Sequence, residues 1–281
     1  MKNIIELINK RYSVRTYSNK KVEEQKIKSI EEYIESNCVG PFGNRVRFEF
    51  IDASEDDSKE LKKLGTYGVM KGARLYISGA VKKADKDMED FGYCMEKVIL
   101  KVTELGLGTV WLGGMLNRSS FAERMGLSGD EIIPAVTPVG YADDNRSVMD
   151  RMAAFVIKAR KRKDFGELFF YGNIETPLEE KQSNNYLQVL ESVRLAPSAS
   201  NKQPWRIIKE EDCNTFHMYL KEDKKYNNET KDVKIQNLDI GIAMSHFELT
   251  ASQLGLEGTW KKAEPALECG ELQYITSWVG K

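Results

Sequence analysis

The chain has 281 residues, 41% of them hydrophobic and 30% charged, and a formal net charge of -1. That length allows one large domain or two small ones, and that composition fits an ordinary globule with a sizeable core. The balanced charge gives no bulk electrostatic case for nucleic acid or a membrane surface as partner.

The chain opens with a short amphipathic helix carrying Ile4, Ile5, Leu7 and Ile8. Its charges interrupt the apolar residues too early for a signal peptide. No later run approaches the roughly 18 apolar residues of a membrane helix. Cys38, Cys94, Cys213 and Cys269 are widely spaced, with only His217 and His246 to join them as soft ligands, so no metal site is expected. So few cysteines suit a reducing compartment, and the expected location is cytoplasmic.

The helix leads into Arg11-Tyr12-Ser13-Val14-Arg15. Two guanidiniums four residues apart, with a hydroxyl between them, can converge on one phosphate through paired, charge-assisted hydrogen bonds. The same spacing also suits a surface basic patch. A helix over 23–37 follows, then the loop Gly40-Pro41-Phe42-Gly43-Asn44 and a strand over 46–51. A long core helix begins at Asp90 and ends at Gly106, where a left-handed cap is favourable. An extended segment bearing Trp111 comes next, then a strand over 131–140 that closes on a glycine. The basic run Lys158-Ala159-Arg160-Lys161-Arg162-Lys163 reads as a solvated face.

A polar connection over 171–182 leads to a helix over 183–195. After it stands Leu195-Ala196-Pro197-Ser198-Ala199-Ser200-Asn201-Lys202-Gln203-Pro204-Trp205. Small residues here let a ligand approach the backbone, the prolines stiffen the loop, and Ser, Asn and Gln can read the edge of a heteroaromatic ring. The bland alternative is a helix-ending loop with a core tryptophan. A strand follows near 205–208. His217 falls in a further strand, and a second core helix runs from Asp239 to Gly255 with His246 buried or at an interface. Trp260 and a terminal strand over 272–280 complete the chain.

The two core helices repeat each other at a spacing of 149. Aligning 90–111 with 239–260 gives eight identities in 22 positions: Asp90, Gly92, Met95, Leu100, Leu105, Gly106, Leu107 and Trp111 recur as Asp239, Gly241, Met244, Leu249, Leu254, Gly255, Leu256 and Trp260. Chance gives about one or two. Each half therefore reads as helix, loop, strand, core helix, strand, an α+β pattern of sheet flanked by helices.

The R-x-S-x-R segment, the A-P-S-x-x-N-x-Q-P-W segment and the G-L-G-T-x-W turn after the first core helix together resemble the nitroreductase family of FMN-dependent oxidoreductases. Segments 133–141 and 160–171 resemble the end of an ordinary member. The resemblance implies a nitroreductase-like α+β fold, internally duplicated. Ordinary members are homodimers with two FMN sites at the interface. Here the good P-S-x-x-N loop comes after the whole first half, and its expected place holds the poor version Gly40–Phe48. The second half lacks R-x-S-x-R, and Lys261-Lys262-Ala263 stands where the first half has Leu112-Gly113-Gly114. The expected organisation is a single-chain pseudo-dimer, 1–172 and 173–281, with one composite FMN site and one decayed site.

By the same resemblance Arg11, Tyr12, Ser13 and Arg15, with Arg160 or Arg162, would hold the FMN phosphate and ribityl chain. Pro197, Ser198, Ala199, Asn201 and Gln203 would line the ring, and the backbone at Leu112, Gly113 and Gly114 would face flavin N5. Lys71 and Tyr67 lie where the family often touches flavin or substrate and read here as structural. NADH or NADPH would supply hydride through N5 to a nitroaromatic, quinone or similar acceptor, with no catalytic side chain required. A flavin carrier or redox sensor without efficient turnover, and a scaffold that has lost flavin, are the rival readings.

Overall fold

The computed structural model describes residues 1, 3–56, 70–114, 117–143, 161–224, 233–263 and 269–281. Tyr67 and Arg160 lie outside the described residues.

In chain order the elements are α1 (Ile4–Lys10), α2 (Glu24–Glu35), β1 (Val46–Asp52), β2 (Leu75–Lys82), α3 (Asp87–Glu104), α4 (Arg118–Met125), β3 (Glu131–Ile132), β4 (Val136–Val139), α5 (Phe165–Leu168) and β5 (Phe169–Tyr171). A 3-10 turn, Glu180–Tyr186, then precedes α6 (Leu187–Arg194), β6 (Trp205–Lys209), β7 (Thr215–Leu220), α7 (Ile235–Gln253), β8 (Gly258–Lys261) and β9 (Gln273–Gly280).

Two sheets flank a central helix pair. In the first, β2 pairs antiparallel with β1, β3 and β4. In the second, the order is β5-β6-β7-β9-β8, antiparallel except for β5 against β6. The two sheets share a plan. Leu112 bridges antiparallel to Val136 at the flank of β4, just as Trp260 pairs with Trp278 at the flank of β9.

Helices α3 and α7 form the core, and α7 buries nearly its whole circumference. Side chains meet across them at sequence separations close to the repeat: Asn237 on Glu89 at 148 and His246 on Glu96 at 150. These contacts advance together along both helices, so the helices run in the same direction. The pair relates its members through an axis roughly along the helices. Around Phe247 an aromatic cluster closes the second sheet's side of the core, with Trp260 and Trp278 at centroid distances of 5.4 and 5.3 Å.

The structure departs from the secondary structure read from the sequence in three places here. The strand expected over 131–140 is divided into β3 and β4, with Pro134, which has no N–H for a ladder, in the gap. The helix expected over 183–195 starts as a 3-10 turn, because Asn184 takes a left-handed φ of 50°. Strand β2, the centre of the first sheet, lies in a stretch not read as a strand. Strand β5, just before the expected boundary at 172, hydrogen-bonds to β6 of the second sheet.

Candidate functional site

Arg11 is the C-cap of α1, where the chain turns extended. The motif then runs along the exit of α3: Val14 N–H donates to Thr109 O at 2.8 Å, and Ser13 bridges Thr109. Tyr17 N–H donates to Lys71 O and Lys71 N–H to Arg15 O, so Lys71 is held beside the motif by its backbone. Arg15 is buried, whereas Tyr12 is exposed.

The Arg11 side chain is only 7% exposed. Its Nε stands 4.0 Å from Glu96 Oε1, and its Nη1 has no hydrogen-bond partner among the described residues. Burial lowers the guanidinium's pKa, and the Glu96 carboxylate pulls the other way. A buried donor left unmet is costly, and Arg162 Nε is another such atom among the described residues.

Arg162 lies next to Arg11. Its pKa is held down to about 10, first by burial and then by the Arg11 and Arg194 cations. Arg194 is neutralised by Glu191 at 2.7 Å. Arg162 donates to Asn201 Oδ1 at 3.2 Å and to Leu195 O at 3.0 Å. The described end of the basic run, 161–163, thus hydrogen-bonds to the loop 195–205 rather than standing wholly in solvent, and the loop and Arg11 meet around Arg162.

That loop is strained and pinned. Ser200, Asn201 and Gln203 have φ of 47°, 55° and 49°, a left-handed conformation that costs non-glycine residues energy and concentrates at functional sites. Ala199 N–H donates to Asp239 on α7 at 2.9 Å, and Gln203 N–H to Ser198 Oγ at 2.8 Å. The Asn201 amide donates to Lys161 O at 2.7 Å, and Lys163 N–H donates to Gln203 Oε1 at 2.9 Å. These two amide side chains, expected to read a ring edge, are therefore engaged with the chain's own segment 161–163. Pro197, Ser198 and Ala199 of the same loop are half-buried.

The loop's counterpart is held in the same way. Asp90 accepts from the backbone N–H of Phe42 at 2.9 Å and of Asn44 at 2.8 Å. Asp90 and Asp239, the first identity of the repeat, thus do one job twice. Burial pushes the Asp90 carboxyl up to about 6 and Asp239 well above its usual range.

On the far side of the motif, Leu112 exchanges backbone bonds with Val136 at 3.0 Å. Gly113 O accepts from Arg118, and a Cβ on Gly113 would press on Ile235 of α7 at 3.0 Å. Among the described residues no atom lies within 4 Å of a Cβ position on Gly114. Elsewhere a cavity of about 300 Å³ opens at the start of α3 and α7. Its buried carboxylate, Glu89, is met by Asn237 at 2.9 Å and Lys86 at 3.4 Å.

A sequence model of the family described as "Putative TM nitroreductase" matches residues 3–251. The chain belongs to this nitroreductase family. A curated relative from Archaeoglobus fulgidus, a "Putative NADH dehydrogenase/NAD(P)H nitroreductase", is 23% identical over 158 residues, which are 52% of this chain and 89% of that protein. The crystal structure of a nitroreductase of Thermotoga maritima, named as putative, aligns over 99% of this chain and 93% of its own, with TM-score 0.62 and 20% identity, and so shows the nitroreductase fold. A nitroreductase of Desulfovibrio desulfuricans solved with FMN aligns over 54% of this chain and 95% of its own, at 20% identity and TM-score 0.41.

For this nitroreductase, Glu96, Asp239 and Arg194 escaped the sequence reading. Only Asp239 left a signal, its identity with Asp90 in the repeat. No helix among the described residues is long and apolar enough to cross a membrane.

Proposed function

We propose that the chain binds one FMN and uses it to pass electrons from NADH or NADPH to a nitroaromatic, quinone or similar electron-poor small molecule. The observation that carries this reading is the buried Arg11, with an unmet Nη1, beside Arg162 and the loop 195–205. A phosphate fits that setting, since it brings negative charge and several acceptor oxygens to a buried cation. Arg11 and Arg162, with Ser13 and Arg15, would hold the phosphate and ribityl end, and Tyr12 would cover it from outside. Pro197, Ser198 and Ala199 would flank the ring from the second half, and the backbone at Gly114, with Leu112 and Gly113, from the first. Bound FMN would supply two-electron chemistry that no side chain here can. What the protein contributes is a pinned loop, a buried phosphate pole and a surface that excludes water from one face of the ligand.

The same reading makes the chain a pseudo-dimer of halves 1–172 and 173–281, acting as a monomer. Its support is the shared sheet plan, the helix contacts near separation 149, and a relative that matches about half of this chain over 89% of its own length. The second site is read as lost. Trp260 donates to Glu248 at 2.7 Å, and that carboxylate is met by the neutral Tyr93 hydroxyl at 2.7 Å, whereas Trp111's carboxylate, Glu96, stands by Arg11. The four cysteines are free thiols, in keeping with a cytoplasmic, reducing setting.

The test is flavin released per chain after reconstitution and gel filtration, followed by NAD(P)H oxidation with a nitroarene. One FMN per monomer with turnover is expected. Two per chain would sink the single-site reading. One FMN without NAD(P)H oxidation would replace the enzyme by a flavin carrier or sensor, and none after incubation with excess FMN would leave only a scaffold.

A further inference from the structure

We infer that Glu96 and His246 form a proton-sharing pair that orients Arg11 while leaving its positive charge uncancelled for a phosphate. The ligand's identity rests on the FMN reading above; the charge argument rests on geometry alone. Both side chains are fully buried. His246 Nδ1 lies 2.9 Å from Ser192 O, and a carbonyl oxygen only accepts, so Nδ1 carries a hydrogen. His246 Nε2 lies 2.9 Å from Glu96 Oε1, so one proton sits between them. Either the imidazolium donates to a carboxylate, or the carboxylic acid donates to a neutral imidazole. The pair sums to zero in both cases.

The other carboxyl oxygen, Oε2, accepts from Trp111 Nε1 at 2.8 Å. Arg11 stands outside this set, at 4.0 Å from Oε1, beyond hydrogen-bonding reach. Arg11, Glu96 and His246 together therefore hold one net positive charge whichever way the proton lies. A lone Glu96 carboxylate would cancel Arg11 and remove the attraction for an anion. An uncancelled buried cation is expensive in the empty protein, and that expense makes sense where an anion completes it.

Glu96 also stands at the meeting point of the parts the site needs. Arg11 comes from the phosphate motif, and Trp111 leads directly into Leu112-Gly113-Gly114. His246 reaches Ser192 on α6, whose end launches the loop 195–205. Glu96 and His246 are thus positioning residues that also set the charge of the pole.

The test compares FMN with riboflavin, which lacks only the phosphate, by fluorescence titration of the full chain. His246→Gln leaves Glu96 free to ionise against Arg11. It is expected to weaken FMN at least about tenfold more than it weakens riboflavin. The double variant Glu96→Gln/His246→Gln removes the carboxylate and is expected to recover most of that loss. Should His246→Gln fail to fold, His246→Asn keeps a donor near Ser192 O and serves in its place. Equal losses for FMN and riboflavin, or no recovery in the double variant, would overturn the proposal and leave a packing role. If wild type binds neither flavin, the FMN reading falls, and thermal stabilisation by inorganic phosphate then decides. Stabilisation of wild type, lost in His246→Gln and regained in the double variant, supports the charged pole, and no stabilisation of wild type overturns it.

Discussion

A Cβ on Gly241 of α7 would overlap the backbone carbonyl oxygen of Glu89 on α3, and it would stand 2.7 Å from Tyr93 N. Gly92 is in the reciprocal position, with Leu238 O in the way. Backbone atoms in two packed helices cannot step aside as a flexible side chain can. Gly241→Ala is therefore expected to lower stability by about 3 kcal/mol or more, through separation of α3 and α7. Urea denaturation of wild type and variant would measure it, and a change below about 1 kcal/mol would mean that the helices do not meet at these glycines.

Gly114 offers the opposite case. Among the described residues no atom lies within 4 Å of its Cβ position, so Gly114→Ala should change the stability of the flavin-free protein by no more than about 0.5 kcal/mol. If the Gly114 backbone abuts the flavin, the added methyl should still weaken FMN by about tenfold, the loss expected from a bulky group at a close-packed contact. Equal FMN affinity in both proteins would remove Gly114 from the site.

Stability should depend on pH in a way set by the two loop-holding aspartates. Burial raises Asp90 from its ordinary 3.8 to about 6, against the pull of the Phe42 and Asn44 donors, and raises Asp239 in the same direction. A carboxyl with a raised folded pKa binds its proton more readily folded than unfolded. It therefore destabilises in full above pH 6, and the penalty is relieved as pH falls through 6 toward 3.8. Glu131, held down to about 2 chiefly by Arg47, acts oppositely, and its contribution is lost below about 4.5. The Tm is expected to rise by about 2 °C or more from pH 7 to pH 5 and to turn over below pH 4. Asp90→Asn should shrink the rise, and identical pH profiles for variant and wild type would refute Asp90's part in it.

The repeat was legible because its identities are the residues that geometry cannot replace. Gly92 and Gly241 touch backbone, and Asp90 and Asp239 each accept from a loop N–H. The link between Glu96 and His246 was not legible. Nothing in either helix's own pattern says which polar group will face which across the pair, and one turn of slippage would give each a different partner. Strand β2 was missed for another reason. Its six consecutive buried residues pack toward Phe91 of α3 on one face and toward Phe121 of α4 on the other, so it lacks the alternation that marks a half-exposed strand. For the loop's amide side chains, a sequence shows what Asn201 and Gln203 can bond but not that residues 161–163 bond them.

That last relationship yields a test of its own. Asn201 ties the basic segment down through Lys161 O and Arg162, and Gln203 adds Lys163 N–H. Asn201 also holds a φ of 55°, so an alanine there would confuse lost bonds with backbone strain. Glycine adopts that φ freely, and Asn201→Gly isolates the side chain. Losing the bonds to Lys161 O and to the Arg162 cation should release the segment locally by about 2 kcal/mol. Trypsin cuts after lysine and arginine, so cleavage at Lys161, Arg162 and Lys163 is expected to speed up by roughly thirtyfold in the flavin-free variant, following the open population. Unchanged cleavage at these three sites would show that the segment is held by Gln203 and its packing instead. Since Arg162 sits between Arg11 and this loop, released protein should also lose FMN affinity, and faster cleavage with undiminished FMN binding would take Arg162 out of the phosphate pole.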